Sequence, residues 1–179
     1  MSDGFEFPTV AGLLRAYGRG QLTPEDATDA ALARIKATEP TLNAFQIIDE
    51  AGAREAAAAS ARRWAEGRPL GPMDGIPLSI KDIVATKGWP TLSGSRTVDS
   101  NGPWDTDSPA VARLREGGAI ILGKTTTPEF GWKGMTDSPL AGITRNPWNP
   151  AHTPGGSSGG AAASLAAGIG AIAHGTDGG

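Results

Sequence analysis

Ser108-Pro109-Ala110-Val111-Ala112-Arg113-Leu114-Arg115-Glu116-Gly117-Gly118-Ala119-Ile120-Ile121-Leu122 carries the fold in miniature. Ser108 suits an N-cap and Pro109 the first helical position, where its missing N–H costs nothing, so a helix is predicted through Glu116. Gly117-Gly118 ends it, and Ala119 to Leu122 reads as a buried strand. Upstream, Ile76 to Ile80 reads as another. This strand, helix, strand alternation predicts an α/β layer with at least some parallel pairing.

Working outward, residues 1–69 are helical in pattern. Val10, Leu13, Leu14 and Tyr17 have helical spacing and stop at Gly18. Thr23-Pro24-Glu25-Asp26 supplies a cap, a proline and first-turn acids for a helix from about Pro24 to Ala37, ended by Pro40. Asn43 to Ile48 reads as a short strand, and alanine-rich Ala51 to Glu66 as an exposed helix closed by Gly67 and Pro69. From Leu70 onward short apolar runs alternate with Gly, Pro, Ser and Thr. Ala161 to Ala173 reads as a buried helix followed by a turn or strand and is too short to span a bilayer. The two segments, 1–69 and 70–179, are expected to form one domain.

Composition narrows the chemistry. The chain has 179 residues, 39% of them hydrophobic, enough for a globular core. Its 16 basic and 19 acidic residues are interspersed and give a net charge of −3, with no basic stripe to collect nucleic-acid phosphates. Cysteine is absent, which removes disulfides and thiolate chemistry. His152 and His174 are the only histidines, too few for a zinc site, and both read as loop or packed residues. No metal or cofactor is implied. Met1 to Glu6 lacks the basic start of a secretory signal, so a cytoplasmic location is the default expectation.

Gly118-Ala119-Ile120-Ile121-Leu122-Gly123-Lys124-Thr125 formally satisfies the P-loop pattern. A P-loop needs a strand before the first glycine and a helix opening at the lysine. Here a helix precedes Gly118, the intervening residues form a strand, and Pro128 follows closely, so Lys124 reads as structural. More promising is Pro154-Gly155-Gly156-Ser157-Ser158-Gly159-Gly160. Its glycines allow close approach of a substrate and its hydroxyls can converge on one point, though a flexible linker would look similar. A serine nucleophile needs a base. With histidine set aside, the candidate is Lys81, which follows the apolar Pro77-Leu78-Ser79-Ile80 strand, where burial favours a neutral amine. An ion pair at a strand end is the competing reading.

Lys81 in Ile80-Lys81-Asp82, Gly123 to Phe130, Gly142 to Trp148, Pro154 to Gly160 and Gly175-Thr176-Asp177-Gly178-Gly179 occur in an order that resembles the amidase signature family. The resemblance runs from about Leu70 to the last residue. It implies an α/β fold with helices on a mixed central sheet, present here in part. It also implies hydrolysis of a carboxylic amide through an acyl-enzyme and a Ser-Ser-Lys triad. Lys81 corresponds to the base, Ser157 to the bridging serine reached through a cis peptide, and Ser158 to a supporting hydroxyl. Asp177, Gly178 and Gly179 correspond to the oxyanion turn, with the nucleophile one or two residues beyond, so the 179 residues alone are expected to be an inactive fragment of a longer enzyme.

Trp132-Lys133-Gly134-Met135-Thr136-Asp137 corresponds to a segment lining the acyl pocket, with Gly134 and Met135 as substrate contacts and a hint of an apolar acyl group. It does not resemble the matching stretch of the transamidosome A subunit, which implies a free-standing amidase acting on small amides. A homodimer of the full-length enzyme is compatible with the resemblance, and no nucleic-acid or membrane partner is implied. Two other readings stay open: a non-catalytic remnant or interaction module of the same fold, and a P-loop nucleotide-binding protein.

Overall fold

A computed structural model of the chain describes residues 9–178; the readings made on Met1 to Glu6 and on Gly179 lie outside them. Helix α1 (Val10–Gly18) is capped by Thr9, and α2 (Pro24–Leu42) opens with a capping box in which Thr23 and Asp26 each accept the other's backbone N–H. Contrary to expectation, α2 runs through Pro40 to Leu42. Proline so close to a helix end forfeits one backbone bond. The end is secured by Asn43, which is a left-handed cap and not the start of a strand, and by the Glu39 carboxylate, which accepts the amides of Ala44 and Phe45 at 3.0 and 2.9 Å.

Strand β1 (Phe45–Ile48) leads into α3 (Glu50–Ala65), which is less exposed than its composition suggests. Ala53, Ala57 and Ser60 are buried because the small side chains let α3 pack closely on α2 and on β3 (Ile120–Thr125). Strand β2 (Pro77–Lys81) and helix α4 (Pro109–Glu116) complete the unit read from the sequence, and β3 extends three residues past Leu122. Later come a hairpin of β4 (Asp137–Ser138) and β5 (Gly142–Ile143), helix α5 (Gly159–Ala166) and β6 (Ile172–His174).

The main sheet is mixed, in the order β1-β3-β2-β6, with β1 antiparallel to β3 and β2 parallel to both β3 and β6. Alternating strand residues feed different cores. Ile120 and Leu122 join Leu32, Ile35, Ala57 and Ala163, so one cluster takes side chains from both sides of residue 70. Leu78, Ile80 and Ile121 join Val111 of α4 in the other. Lys81 pairs with Thr125, whereas Ile80 pairs with Lys124, so the two lysines point to opposite faces. Among the described residues no helix is long and apolar enough to cross a membrane.

Candidate active site

Lys81 ends β2, an interior strand, and its residue is fully buried. Parallel sheets present their chemistry at such carboxyl ends, where strands stop and loops converge. Two loops converge here. Ser157 and Ser158 immediately precede α5, and Thr176 lies two residues after β6, so that the Ile80–His174 register places it just beyond the end of β2. Lys81 Nζ lies 2.7 Å from Ser157 Oγ, 3.0 Å from Ser158 Oγ and 2.8 Å from Thr176 Oγ1. The Gly156–Ser157 peptide is cis.

Proton inventory distinguishes these hydroxyls. Ser158 Oγ donates to the Thr176 carbonyl at 3.0 Å and accepts the Thr176 N–H at 3.1 Å, so its one proton is committed and it can only accept from Lys81. Ser157 has no such commitment to a backbone carbonyl among the bonds around it, and its own carbonyl accepts from Thr127 Oγ1 at 3.3 Å. A neutral amine has two N–H groups and one lone pair. The arrangement lets Lys81 donate to Ser158 and Thr176 while its lone pair faces the Ser157 hydroxyl. Burial pushes the Lys81 ammonium below its ordinary value, opposed by the negative charge of Asp177.

The glycine-serine loop is fastened from behind. Thr136 Oγ1 donates to the Gly155 carbonyl at 2.9 Å and accepts the Gly159 amide at 3.0 Å, bracketing the two serines. Gly160 is pressed against the sheet: a Cβ there would stand 2.5 Å from Thr126 N and 2.6 Å from the Ala44 carbonyl oxygen, so no other residue fits. Pro154, the loop, Thr176 and Asp177 line an open cleft of about 460 Å³. A second cavity of about 240 Å³, mostly apolar, lies under α1 and α2 and shares no residue with it.

Other candidates fall as follows. Asp177 and Gly178 are exposed in the turn after β6, and Gly179 is outside the described residues. Met135 is brought to the loop by its backbone, since a Cβ on Gly156 would meet Met135 N at 2.9 Å; its side chain is largely exposed, as are Gly134 and Trp132. His152 is an exposed loop residue. His174 is a strand residue, its pKa pushed down by burial and then by Lys81. Lys124 has no phosphate cradle around it: it is a buried strand residue, 3.0 Å from Asp82 Oδ1. The sequence reading missed Thr136 and the contact of Thr176 with Lys81. No spacing signals them, although Thr176 sits inside a run already singled out.

The amidase family model matches residues 26–179, and the chain belongs to that family. It is 43% identical over 169 residues to the glutamyl-tRNA(Gln) amidotransferase A subunit of Chloroflexus aurantiacus, covering 94% of this chain and 34% of that protein. It is also 43% identical over 164 residues to the indoleacetamide hydrolase of Bradyrhizobium diazoefficiens, covering 90% and 31%. The native peptide amidase of Stenotrophomonas maltophilia superimposes with a TM-score of 0.86 at 36% identity, over 94% of this chain and 36% of the other. The chain thus spans about a third of the length of these relatives.

Proposed function

We propose that this chain supplies the base, the relay and the oxyanion turn of an enzyme that hydrolyses carboxylic amides. The observation that carries the reading is the buried Lys81 amine, ringed by three hydroxyls: the Ser158 proton is committed to a backbone carbonyl, whereas Ser157, at 2.7 Å, has no such commitment. Lys81 is the general base and Ser157 the bridge. The nucleophile is a serine one or two residues beyond Gly179 in the continuing chain. As its oxygen attacks the amide carbon, its proton passes to Ser157 Oγ and the Ser157 proton passes to Lys81 Nζ.

The carbonyl π electrons move to oxygen, which the backbone N–H groups of the Asp177-Gly178-Gly179 turn stabilise. Collapse of this intermediate breaks the carbon–nitrogen bond, and the relay runs backwards to protonate the departing nitrogen. Water then repeats the sequence on the acyl-enzyme. Ser158 and Thr176 hold the amine, while Gly134, Met135 and Trp132 border the acyl side, whose apolar surface favours an apolar acyl group. The acceptor in this reading is water, in keeping with the indoleacetamide relative, which is a hydrolase.

Two observations test this. The reading frame beyond Gly179 must encode a serine within two residues. In the full-length protein, Lys81→Ala and Ser157→Ala must each abolish ammonia release from indole-3-acetamide or a peptide amide while the circular dichroism spectrum is unchanged. Retained turnover in either variant would sink the assignment.

A further inference from the structure

Lys124 and Asp82 form an ion pair whose side chains are 0% and 2% exposed, one residue along from the base and on the other face of the sheet. Burial of two charges is costly, and apolar residues of the same volume commonly serve stability as well or better. The contacts of this pair suggest what it does. Lys124 Nζ donates to the Pro90 carbonyl at 3.1 Å and to Thr91 Oγ1 at 2.5 Å. Burial pushes the Asp82 carboxyl up, opposed by Lys124 and by the backbone amides of Leu92 and Gly94. Through Lys124 the pair therefore grips residues 90 and 91, at the head of the 90–94 segment.

That segment in turn supports the serine loop. Gly94, at φ +66°, lies so close to the next layer that a Cβ would stand 2.6 Å from the Thr127 carbonyl oxygen, and the Ser93 carbonyl accepts the Phe130 N–H at 2.8 Å. Ser95 Oγ donates to Glu129 Oε1 at 2.7 Å. Residues 127–131 then meet the relay directly: Thr127 Oγ1 donates to the Ser157 carbonyl at 3.3 Å, and a Cβ on Gly131 would stand 3.7 Å from Ser157 Oγ. On the base side, Asp82 N donates to the Thr125 carbonyl at 2.9 Å, closing β2 just after Lys81.

Resting on the amidase reading above, we propose that the Lys124–Asp82 pair is a positioning element: it anchors residues 90–94, and through them 127–131, so that Ser157 meets Lys81. The pair is also charge-balanced, so it adds little net field at the base while both members are present. Removing one member leaves a charge behind the base. The other ionisable groups acting on Lys81, Asp177 and His174, remain in every variant.

The test uses the full-length protein carrying this sequence, with Lys124→Met and Asp82→Asn, read by kinetics and by NMR titration of ¹³C-labelled lysine. Both variants are expected to lose about ten- to a hundredfold in kcat with KM changed less than about threefold, the scale of a small misplacement of reacting groups. The Lys81 midpoint should move in opposite directions, upward in Lys124→Met and downward in Asp82→Asn, by about one pH unit. In folded variants a merely structural pair would leave kcat at the wild-type value, even where the left-over charge moves the midpoint. Folded variants with wild-type kcat therefore overturn the proposal. Should both fail to fold, Thr91→Val removes one Lys124 contact together with the long 3.4 Å bond from Thr91 Oγ1 to the Val84 carbonyl; a drop of about threefold or more in kcat supports the proposal, and an unchanged kcat overturns it. Hydrolysis that persists in Lys81→Ala would refute the amidase reading instead.

Discussion

Ser158→Ala separates a supporting hydroxyl from a relay. The substitution deletes three hydrogen bonds: one from Lys81 Nζ at 3.0 Å, one from Thr176 N at 3.1 Å and one to the Thr176 carbonyl at 3.0 Å. Each is worth about 1 kcal/mol net. Thr176 is exposed, so water recovers part of the backbone loss, leaving about 2 kcal/mol felt by the positioned amine. If all of it appears in the barrier, kcat falls about thirtyfold. The pH profile carries a sign as well. An N–H to Ser158 is stronger from the ammonium than from the amine, so its loss disfavours the charged form and moves the acid limb of kcat/KM to lower pH. The assay is ammonia release from an amide across pH in the full-length protein, beside Lys81→Ala. A loss as complete as that of Lys81→Ala would put Ser158 in the proton path, and wild-type kcat would mean it positions nothing; either result refutes the reasoning.

Two further predictions follow from charge. Asp177 raises the pKa of Lys81 against burial, so Asp177→Asn should move the acid limb of the pH–rate profile to lower pH, and an upward shift would contradict the assignment. Asp74 is fully buried; burial alone would raise its pKa, but Arg63, the Leu70 amide and Ser60 together pull it below the ordinary carboxylate value. Asp74→Ala should cost about 2–4 kcal/mol, seen in thermal melts, because Arg63 is only partly exposed and loses its partner. Since the folded pKa lies below the unfolded one, this stability is present above the unfolded carboxylate range and lost as pH falls through the folded value. Wild-type stability should therefore drop in acid more steeply than that of the variant.

Much of this was legible because the informative residues are local. Caps such as Thr23 and Ser108, and apolar runs such as Ile76 to Ile80, act within a turn or a strand. Elimination offered Lys81 as a base for the serine loop but left an ion pair open, and the family resemblance settled the choice between them, since no local rule brings together residues 76 apart. What escaped depends on neighbours supplied by the sheet. The Lys124–Asp82 pair arises from strand register, and Thr136 reaches the serine loop from a separate hairpin. Pro40 misled because a proline argues for a helix end without specifying its residue, and Glu39 and Asn43 then set it two residues further on.

The reciprocal bonding of Ser158 with Thr176 has a consequence for how the site is built. One hydroxyl donates to the carbonyl and accepts the N–H of the same residue, which is what the backbone of an adjoining strand would do. Beyond His174, where β6 ends, a serine side chain therefore takes the place of a strand neighbour. The sheet is in effect prolonged by a side chain into the glycine-serine loop, so the direction of the chain at Asp177 and Gly178 is tied to the rotamer of a single serine.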